Sequence, residues 1–501
     1  MKISEIAMNP NPLVQFIQKS PCDFTKDDII RFIEHHEIKS LNFRYVAEDG
    51  RLKTLNFVIS SSAHLNDILS FGERVDGSSL FSFMEAGSSD LYVIPRYRTA
   101  FLNPFNEEPS LEILCAFYNH QGEALASSPE NILKKANTLF QQETGYTFKA
   151  LGELEYYVNS KAKSIFPASD QKGYHESEPF AKFEGMRKEA LQLVAQCGCK
   201  VKYGHSEVGN FSKGEEDFEQ HEIEFLPCDP QDAADQLIIA KWVLRMLAEE
   251  QQVEISFAPK ITVGKAGSGL HFHMLLEKDG KNIMLENNQL SDVSKRMISG
   301  ILDFSAALTA FGNTIPTSYL RLVPHQEAPT NICWGDRNRS ALVRVPLGWT
   351  TQKNMVADAN PTILPQPLEE VQKQTVEFRA PDGSAQIHLT LAGLIMASLH
   401  GLKDEKALEK ANALYVDGNI FLKENKEQQM RLKQLPASCF DSADALEAMR
   451  TAFEANGIFP KPVIDHTIKT LKAYDDKDLS ERLYGKEEEL RELVLRFIHC
   501  Q

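Results

Sequence analysis

The first part of the chain contains short runs in which apolar and polar residues alternate. Between about residues 24 and 120 the alternation is clearest in Leu41–Tyr45 and Ser110–Phe117. A period of two residues places neighbouring side chains on opposite faces of a strand, so these runs predict strands of a small sheet. A boundary follows near Ser127. Pro129 suits the first turn of a helix, and apolar residues at helical spacing come after it.

The rest of the chain shows a helical period in several places. Asp229 and Pro230 form a cap and a first-turn proline, and apolar residues then recur at intervals of three and four. The longest apolar stretch, Leu389–Leu402, includes polar residues and is too short to span a bilayer, so it predicts a buried core helix. Residues 403–433 are strongly charged, which is typical of a solvated helical face.

Composition limits the class of function. The chain has 501 residues, of which 42% are hydrophobic and 25% are charged, and its net charge is −16. That length allows one small and one large domain. The negative charge argues against nucleic acid as a partner, because phosphate backbones require a dense Lys and Arg surface. The first residues lack the basic flank and apolar core of a signal peptide. We therefore expect a cytoplasmic protein with no membrane partner.

The eight cysteines do not show the paired spacing of a zinc site or the density of a disulfide scaffold. Reduced, mostly buried thiols are the expectation.

A pair of carboxylates marks the first candidate site. The segment Ala150–Val158 predicts a strand, so Glu153 and Glu155 project from the same face. If that face is exposed, the two side chains are simply solvated. If it is buried, they require a cation, because an unpaired buried carboxylate is costly.

A glycine-rich turn followed by two histidines marks the second candidate site. In the segment 264–276, His271 and His273 share one face of a predicted strand. Gly267 and Gly269 permit close approach of a ligand to the backbone and positive φ angles, and imidazole is a good ligand for Mn²⁺ and Zn²⁺. A structural pair of histidines is the alternative.

Further charged residues suit the same chemistry. Glu207, Glu222 and Glu377 could each be a metal ligand or an ordinary surface carboxylate. Arg379 lies beside Glu377, and four more arginines stand among apolar residues and prolines: Arg321, Arg337, Arg339 and Arg344. A guanidinium group binds carboxylate or phosphate through two parallel hydrogen bonds, so the cluster predicts an anionic substrate.

Taken in order, these segments resemble the glutamine synthetases of the bacterial type I class. The resemblance runs from about Asp76 to His400 and rests on Asp76–Ser79, the Glu153/Glu155 pair, Gly267–His273, Arg321–Pro324 with Glu327–Pro329, and Arg337–Arg344.

The resemblance implies an α+β fold, with an N-terminal β-grasp-like domain at about residues 20–120 and a catalytic domain at 125–501 that contains a curved antiparallel sheet and surrounding helices. It also implies ATP, L-glutamate and ammonia as substrates and two or more Mg²⁺ or Mn²⁺ ions. A homo-oligomer, either a hexameric ring or a dodecamer, would form active sites between neighbouring subunits.

Residue roles are implied in the same way. One ion would be held by Glu155, Glu207 and Glu222, and the other by Glu153, His271 and Glu377. The nucleotide phosphates would contact His273, Arg339 and Arg344. Glutamate would lie at Arg321 and at the turn of Ala266 and Gly267, with Arg379 at the transferred phosphoryl group. The ammonium pocket would consist of Asp76 from the next subunit, Ser79, Tyr174 and Glu207. Glu327 would lie on a flap that shields the intermediate from water.

Several positions depart from the family pattern. Ala266 replaces an asparagine that contacts glutamate, and Leu275 and Lys202 replace a serine and a glutamate on the nucleotide side. The spacing from Glu207 to Glu222 is longer by about half a dozen residues, which leaves Glu219 and Glu224 as alternatives to Glu222. A second insertion covers roughly residues 347–374. Tyr415, near where some relatives carry a modified tyrosine, is expected to be an ordinary packed residue.

Two other functions remain open at this point. A γ-glutamyl-amine ligase, acting on a polyamine or another amine, is favoured by Ala266 and the insertions and opposed by the intact ammonium pocket. A catalytically silent regulatory relative is opposed by the retention of every implied metal ligand.

Overall fold

A computed structural model of the chain describes residues 3–84, 89–162, 165–323, 328–348, 354–362 and 373–500. Glu327 and most of the insertion at 347–374 lie outside these ranges.

The N-terminal part is built on a six-stranded sheet. Its strands pair in the order β2-β1-β6-β4-β3, with β5 also on β6, and β1 is parallel to β6 while the other pairs are antiparallel. The strands are β1 (Ser40–Val46), β2 (Leu52–Val58), β3 (Glu73–Asp76), β4 (Asp90–Pro95), β5 (Phe101–Leu102) and β6 (Ser110–Tyr118). Four helices accompany them: α1 (Ile3–Met8), α2 (Pro12–Ile17), α3 (Lys26–His35) and α4 (Ser62–Phe71). The two strands predicted from alternation are confirmed as β1 and β6.

The larger part contains a nine-stranded sheet with the order β15-β16-β17-β11-β7-β9-β8, to which β10 and β12 add at β7 and β11. All its pairs are antiparallel except β15 with β16. A separate hairpin is formed by β13 and β14. The strands are β7 (Thr147–Lys161), β8 (Val201–Lys213), β9 (Glu216–Phe225), β10 (Glu254–Ser256), β11 (Leu270–Lys278), β12 (Lys281–Asn282), β13 (Leu285–Glu286), β14 (Gln289–Leu290), β15 (Trp334–Asp336), β16 (Val343–Val345) and β17 (Val376–Phe378).

Helices pack on one face of this sheet. Leu154 of β7 lies in the same apolar core as Leu237, Leu308 and Leu391. The helices are α5 (Pro129–Thr144), α6 (Glu184–Gln196), α7 (Pro230–Glu250), α8 (Asp292–Gly312), α9 (Ser318–Arg321), α10 (Met355–Ala359), α11 (Ile387–Lys403), α12 (Ala407–Ala413), α13 (Lys426–Arg431), α14 (Cys439–Glu454), α15 (Lys461–Lys472), α16 (Leu479–Arg482) and α17 (Glu487–Arg496). The helix starts predicted at Pro129 and Pro230 and the buried helix α11 are confirmed.

The extra residues between Glu207 and Glu222 form a hairpin. Strands β8 and β9 pair as far as Lys213 and Glu216, at the tip of the turn. Strand β9 also pairs with β7 to its end at Lys161, so β7, β8 and β9 extend together to the tip of this hairpin.

The cysteines follow the prediction closely. All eight are free thiols, seven of them buried, and Cys22 is the exposed one. Burial raises the pKa of Cys228 and Cys500 to about 12. Across the described ranges, no helix has both the length and the apolar character that crossing a membrane would need.

Candidate active site

The side chains on the face of the sheet away from the helices line one deep cavity of about 920 Å³. Along β7, Leu154 and Tyr156 enter the core while Glu153 and Glu155 face the cavity. Strand register aligns their neighbours: Glu155 is opposite Glu222, and Glu153 lies between Glu224 and His271. On the far side of β11, His273 is opposite Glu377 of β17. The period-two interpretation of both pairs is confirmed. The two histidines are buried, and Glu153 and Glu155 are 15% and 12% exposed.

The cavity gathers most of the implied site residues. Those that line it are Glu153, Glu155, Glu207, Glu222, His271, His273, Glu377, Arg321, Arg339, Arg344, Arg379, Tyr174, Ala266 and Gly267. Among the alternatives to Glu222, Glu224 also faces the cavity. Glu219 faces the other side of β9, where it accepts hydrogen bonds from the backbone N–H groups of Lys182 and Phe183 at 2.8 and 3.1 Å.

Three overlapping groups of carboxylate and imidazole ligand atoms lie close enough to share a metal ion. In the described part of the chain these are Glu153/His273/Glu377, Glu153/Glu222/His271 and His205/Glu207/Glu222. They differ from the implied sets in three respects: His205 and His273 enter them, Glu222 also joins Glu153 and His271, and Glu155 belongs to none of them. Its Oε2 accepts hydrogen bonds from the Gly269 N–H at 2.7 Å and from Gln220 at 3.3 Å.

His205 is a residue that the sequence reasoning missed. Its Nε2 lies 3.2 Å from a Glu222 carboxylate oxygen, and the side chain lines the cavity. The available signal was its position two residues before Glu207, which places both side chains on one face of β8.

The electrostatics of the cavity favour a cation. Burial, together with the nearby carboxylates of Glu153 and Glu155, raises the pKa of Glu222 well above its ordinary value. Burial alone would lower the pKa of His273, but the Glu153 and Glu377 carboxylates raise it to about 9. Protons bound to Glu222 and His273 thus offset part of the excess negative charge in the cavity. The donor set of carboxylates and imidazoles fits Mg²⁺ or Mn²⁺, which would offset that charge directly.

The glycine turn is packed against an arginine. A Cβ atom on Gly269 would lie 2.5 Å from Nη2 of Arg321 and 2.5 Å from Nε2 of His271, and one on Gly267 would lie 2.6 Å from the Pro259 carbonyl oxygen. Neither of these two glycines has a positive φ, so that expectation is wrong. In this turn the left-handed conformation occurs at Gly264. Glycine is required at both positions because atoms of Pro259, His271 and Arg321 occupy the space that a Cβ atom would need.

The arginines surround the acidic cluster. Arg321 is buried and donates to the Ala380 carbonyl oxygen at 2.8 Å. Arg344 and Arg379 donate to the two carboxylate oxygens of Glu377 at 2.7 and 3.0 Å. Arg379 also donates to the Arg339 carbonyl oxygen. Arg337 lies outside the residues that line this cavity and borders a neighbouring depression.

The residues implied for the ammonium pocket lie in two different parts of the chain's structure. Tyr174 lies at the cavity, about half exposed, with its ring 4.3 Å from that of His175 and 5.4 Å from that of His205. Asp76 and Ser79 lie in the N-terminal sheet region and are absent from the described lining of the cavity. Hydrogen bonds from Ser78 and Ser79 lower the pKa of Asp76 to about 2.

Tyr415 and Leu275 are both packed against other parts of the protein. Tyr415 packs edge-on against Trp334, with ring centroids 4.9 Å apart, as expected of a packed tyrosine. Leu275 is buried and lines the cavity.

An acidic cluster beside buried arginines has the chemistry of a site that could bring anionic groups together. The family follows from two family models, "Glutamine synthetase, beta-Grasp domain" over residues 37–120 and "Glutamine synthetase, catalytic domain" over residues 126–487. The chain belongs to the glutamine synthetase family, and the resemblance and fold class stated above are confirmed. Membership makes carbon–nitrogen ligase its enzyme class.

Individual relatives agree with this result. A glutamine synthetase of Clostridium saccharobutylicum is 28% identical over 443 residues, which cover 87% of this chain and 92% of that protein. One of Pyrococcus furiosus is 29% identical over 441 residues, covering 87% and 91%. A Plasmodium falciparum glutamine synthetase structure aligns with a TM-score of 0.73 at 21% identity, covering 94% and 98%. A GmaS/ADP complex aligns with 0.70 at 18%, covering 90% and 96%. These two structures support the fold alone.

Proposed function

We propose that this chain uses ATP to join ammonia to the γ-carboxylate of L-glutamate through γ-glutamyl phosphate, which gives L-glutamine, ADP and phosphate. The observation that carries the proposal is the single cavity in which the carboxylates of β7, β8, β9 and β17 face the arginines of the adjoining segments. Phosphoryl transfer to a carboxylate requires two anions to approach each other. Positive charge from metal ions and guanidinium groups makes that possible.

Each group has a distinct task in this reaction. Glu153, Glu155, Glu207, Glu222, His271 and Glu377, with His205 as an addition, would hold two or more Mg²⁺ or Mn²⁺ ions. The ions would supply charge neutralisation at the transferred phosphoryl group. Arg339, Arg344 and His273 bind the nucleotide phosphates. Arg321, Ala266 and Gly267 place glutamate, and Arg379 stabilises the transferred phosphoryl group.

The second half-reaction uses a different group of residues. Ammonium carries a positive charge, so Asp76, Ser79, Tyr174 and Glu207 provide a pocket that attracts it. With a pKa of about 2, Asp76 stays charged at working pH and is a weak base. Its task is therefore electrostatic binding of ammonium more than removal of its proton. Glu327, which lies outside the described residues, would shield the intermediate from water.

Assembly follows from the position of Asp76. Because Asp76 and Ser79 lie outside the described lining of their own chain's cavity, a neighbouring subunit of a hexameric ring or dodecamer would contribute Asp76.

The experiment measures glutamine formation and γ-glutamyl hydroxamate formation in wild type and Asp76→Ala. We expect glutamine formation to fall by about 10²–10⁴-fold, and the hydroxylamine reaction to fall less, because hydroxylamine is mostly neutral at neutral pH. ATP binding should remain unchanged. Asp90→Ala is the matched control, since Asp90 is the exposed cross-strand partner of Asp76. Equal loss of both nucleophiles would exclude an ammonium-binding role.

A second candidate is ligation of a larger amine. Ala266 in place of asparagine removes a polar contact with glutamate from the lining of the cavity, so the substrate site differs from the family pattern. Phosphate release with glutamate and ATP should be compared for ammonia, methylamine and polyamines. A wild-type preference for a polyamine would replace the ammonia proposal with the amine-ligase one.

A further inference from the structure

Glu224 is a carboxylate of the cavity that the proposed mechanism does not use. It lies on β9, two residues after Glu222 and on the same face, with Glu153 and Tyr203 as its cross-strand neighbours. The residue is only 3% exposed, yet it lines the cavity. In the described part of the chain it belongs to none of the groups of ligand atoms that could hold a metal ion.

One oxygen of this carboxylate is paired and the other is not. Lys202 donates from Nζ to Oε1 of Glu224. Oε2 is buried and meets no donor at hydrogen-bonding geometry among the described residues. The Tyr203 phenol lies near this carboxylate, and burial and Glu224 together raise its pKa. A buried carboxylate oxygen without a donor is costly, so the site is suited to a ligand that supplies one.

The neighbours of Glu224 indicate which donor that is. Side chains two residues apart on a strand are about 7 Å apart, and on this face β9 presents Glu222, then Glu224, and the chain continues to Leu226. Glu222 belongs to the acidic cluster, where the phosphates would lie. Leu226, with Leu151 and Leu275, provides an apolar surface that suits a purine base. In a nucleotide the sugar lies between phosphate and base.

We infer that Glu224, oriented by Lys202, accepts hydrogen bonds from the ribose hydroxyls of the nucleotide and selects a ribonucleotide over a deoxyribonucleotide. This inference rests on the proposed function, since it requires ATP in this cavity. A carboxylate whose charge is matched by a lysine is a good acceptor for neutral hydroxyls, and acidic side chains elsewhere recognise ribose in the same way. The phosphates are excluded as the donor, because they carry no donor groups and repel a carboxylate.

The charge pattern of the sequence supports the assignment. Lys202 stands where the family resemblance expects a glutamate. A lysine alone would invert the charge at that position, but Glu224 restores a carboxylate to the same wall of the cavity and pairs with it. The two residues thus act as one specificity-determining pair.

The test is calorimetric titration of the full-length protein with ATP, 2′-deoxyATP and 3′-deoxyATP in Mg²⁺, without glutamate or amine. Wild type should bind ATP at least about tenfold more tightly than one of the deoxynucleotides, as expected for a charge-assisted hydrogen bond. Glu224→Ala should reduce this preference to less than about threefold, mainly by weakening ATP binding. Glu224→Gln, which keeps the shape of the side chain, should reduce it in part and is the second variant in case the first fails to fold.

Glu216→Ala is the matched control, because Glu216 is exposed at the far end of the same strand. It should keep the full preference. Intact ATP binding with an unchanged preference in both Glu224 variants would overturn the assignment of Glu224 alone. The assignment of Glu224 would also be overturned if wild type bound all three nucleotides equally. It would be overturned as well if the main effect of Glu224→Gln were weaker Mg²⁺ binding. Failure of folded wild type to bind any nucleotide would overturn the proposed function as well.

Discussion

A buried ion pair joins the hairpin of β8 and β9 to the segment that carries Tyr174. Lys182 Nζ lies 2.6 Å from Asp217 Oδ2, and the two side chains are 5% and 4% exposed. Asp217 also accepts a hydrogen bond from Ser212 at 2.6 Å. We predict that Asp217→Leu destabilises the protein by about 3–5 kcal/mol, because it leaves the Lys182 ammonium buried without its partner.

The double variant Lys182→Met/Asp217→Leu separates charge burial from loss of contact. Replacing both partners removes the buried charge, so most of the lost stability should return. The assay is the free energy of unfolding in urea, combined with hydrogen exchange of residues 165–183. The single variant should also raise KM for ammonium with little change in KM for ATP, because the loosened segment holds Tyr174.

Lys188→Met is the control for this experiment. Its ion pair with Glu184 is largely exposed on the lysine side, at 59%, so its removal should leave the free energy of unfolding nearly unchanged. The reasoning is refuted if the double variant is as unstable as the single one, or if Lys188→Met costs as much as Asp217→Leu.

Three further predictions concern metal, assembly and pH. Chelation of divalent ions should abolish activity, and Glu222→Gln should weaken Mn²⁺ binding in a direct titration; full turnover without metal would contradict the site. Mixed assemblies of Asp76→Ala and Arg339→Ala chains should regain activity that neither parent has, whereas inactive hybrids would argue against shared sites. Burial lowers the pKa of Lys241 from 10.5 to about 7, so the folded state disfavours its charge. Lys241→Met should therefore stabilise the protein most at and below pH 7, and the gain in unfolding free energy should disappear as pH rises towards 10.5; a gain independent of pH would contradict this.

Local patterns predicted the elements that carry the site. The alternation around Glu153 and His271 identified two strands and the face that their charged side chains share, because side-chain direction in a strand depends only on its period. Whether that face is buried was left open by the sequence. The family resemblance assigned individual roles to Glu222 and the arginines, which the residues alone had marked only as a possible metal ligand and a cluster suited to anions. Domain boundaries and the roles of individual residues remain predictions.

Strand register could not be predicted, because it depends on contacts between residues far apart in the chain. This is why the ligand groups differ from the implied sets, with His205 added and Glu155 held by the Gly269 N–H. The partner of Lys202 was missed for the same reason. The positive φ expected at Gly267 was wrong because glycine also serves close packing, and sequence alone does not distinguish the two uses.

The distribution of thiols makes the chain convenient to label. Since Cys22 is exposed while the other seven thiols are buried, a maleimide dye should attach at one position in each native molecule. Two populations carrying donor and acceptor dyes could then be mixed, and energy transfer between them would report exchange of chains without any engineered cysteine. Cys22 thus provides a site for fluorescent labelling in the sequence as it stands.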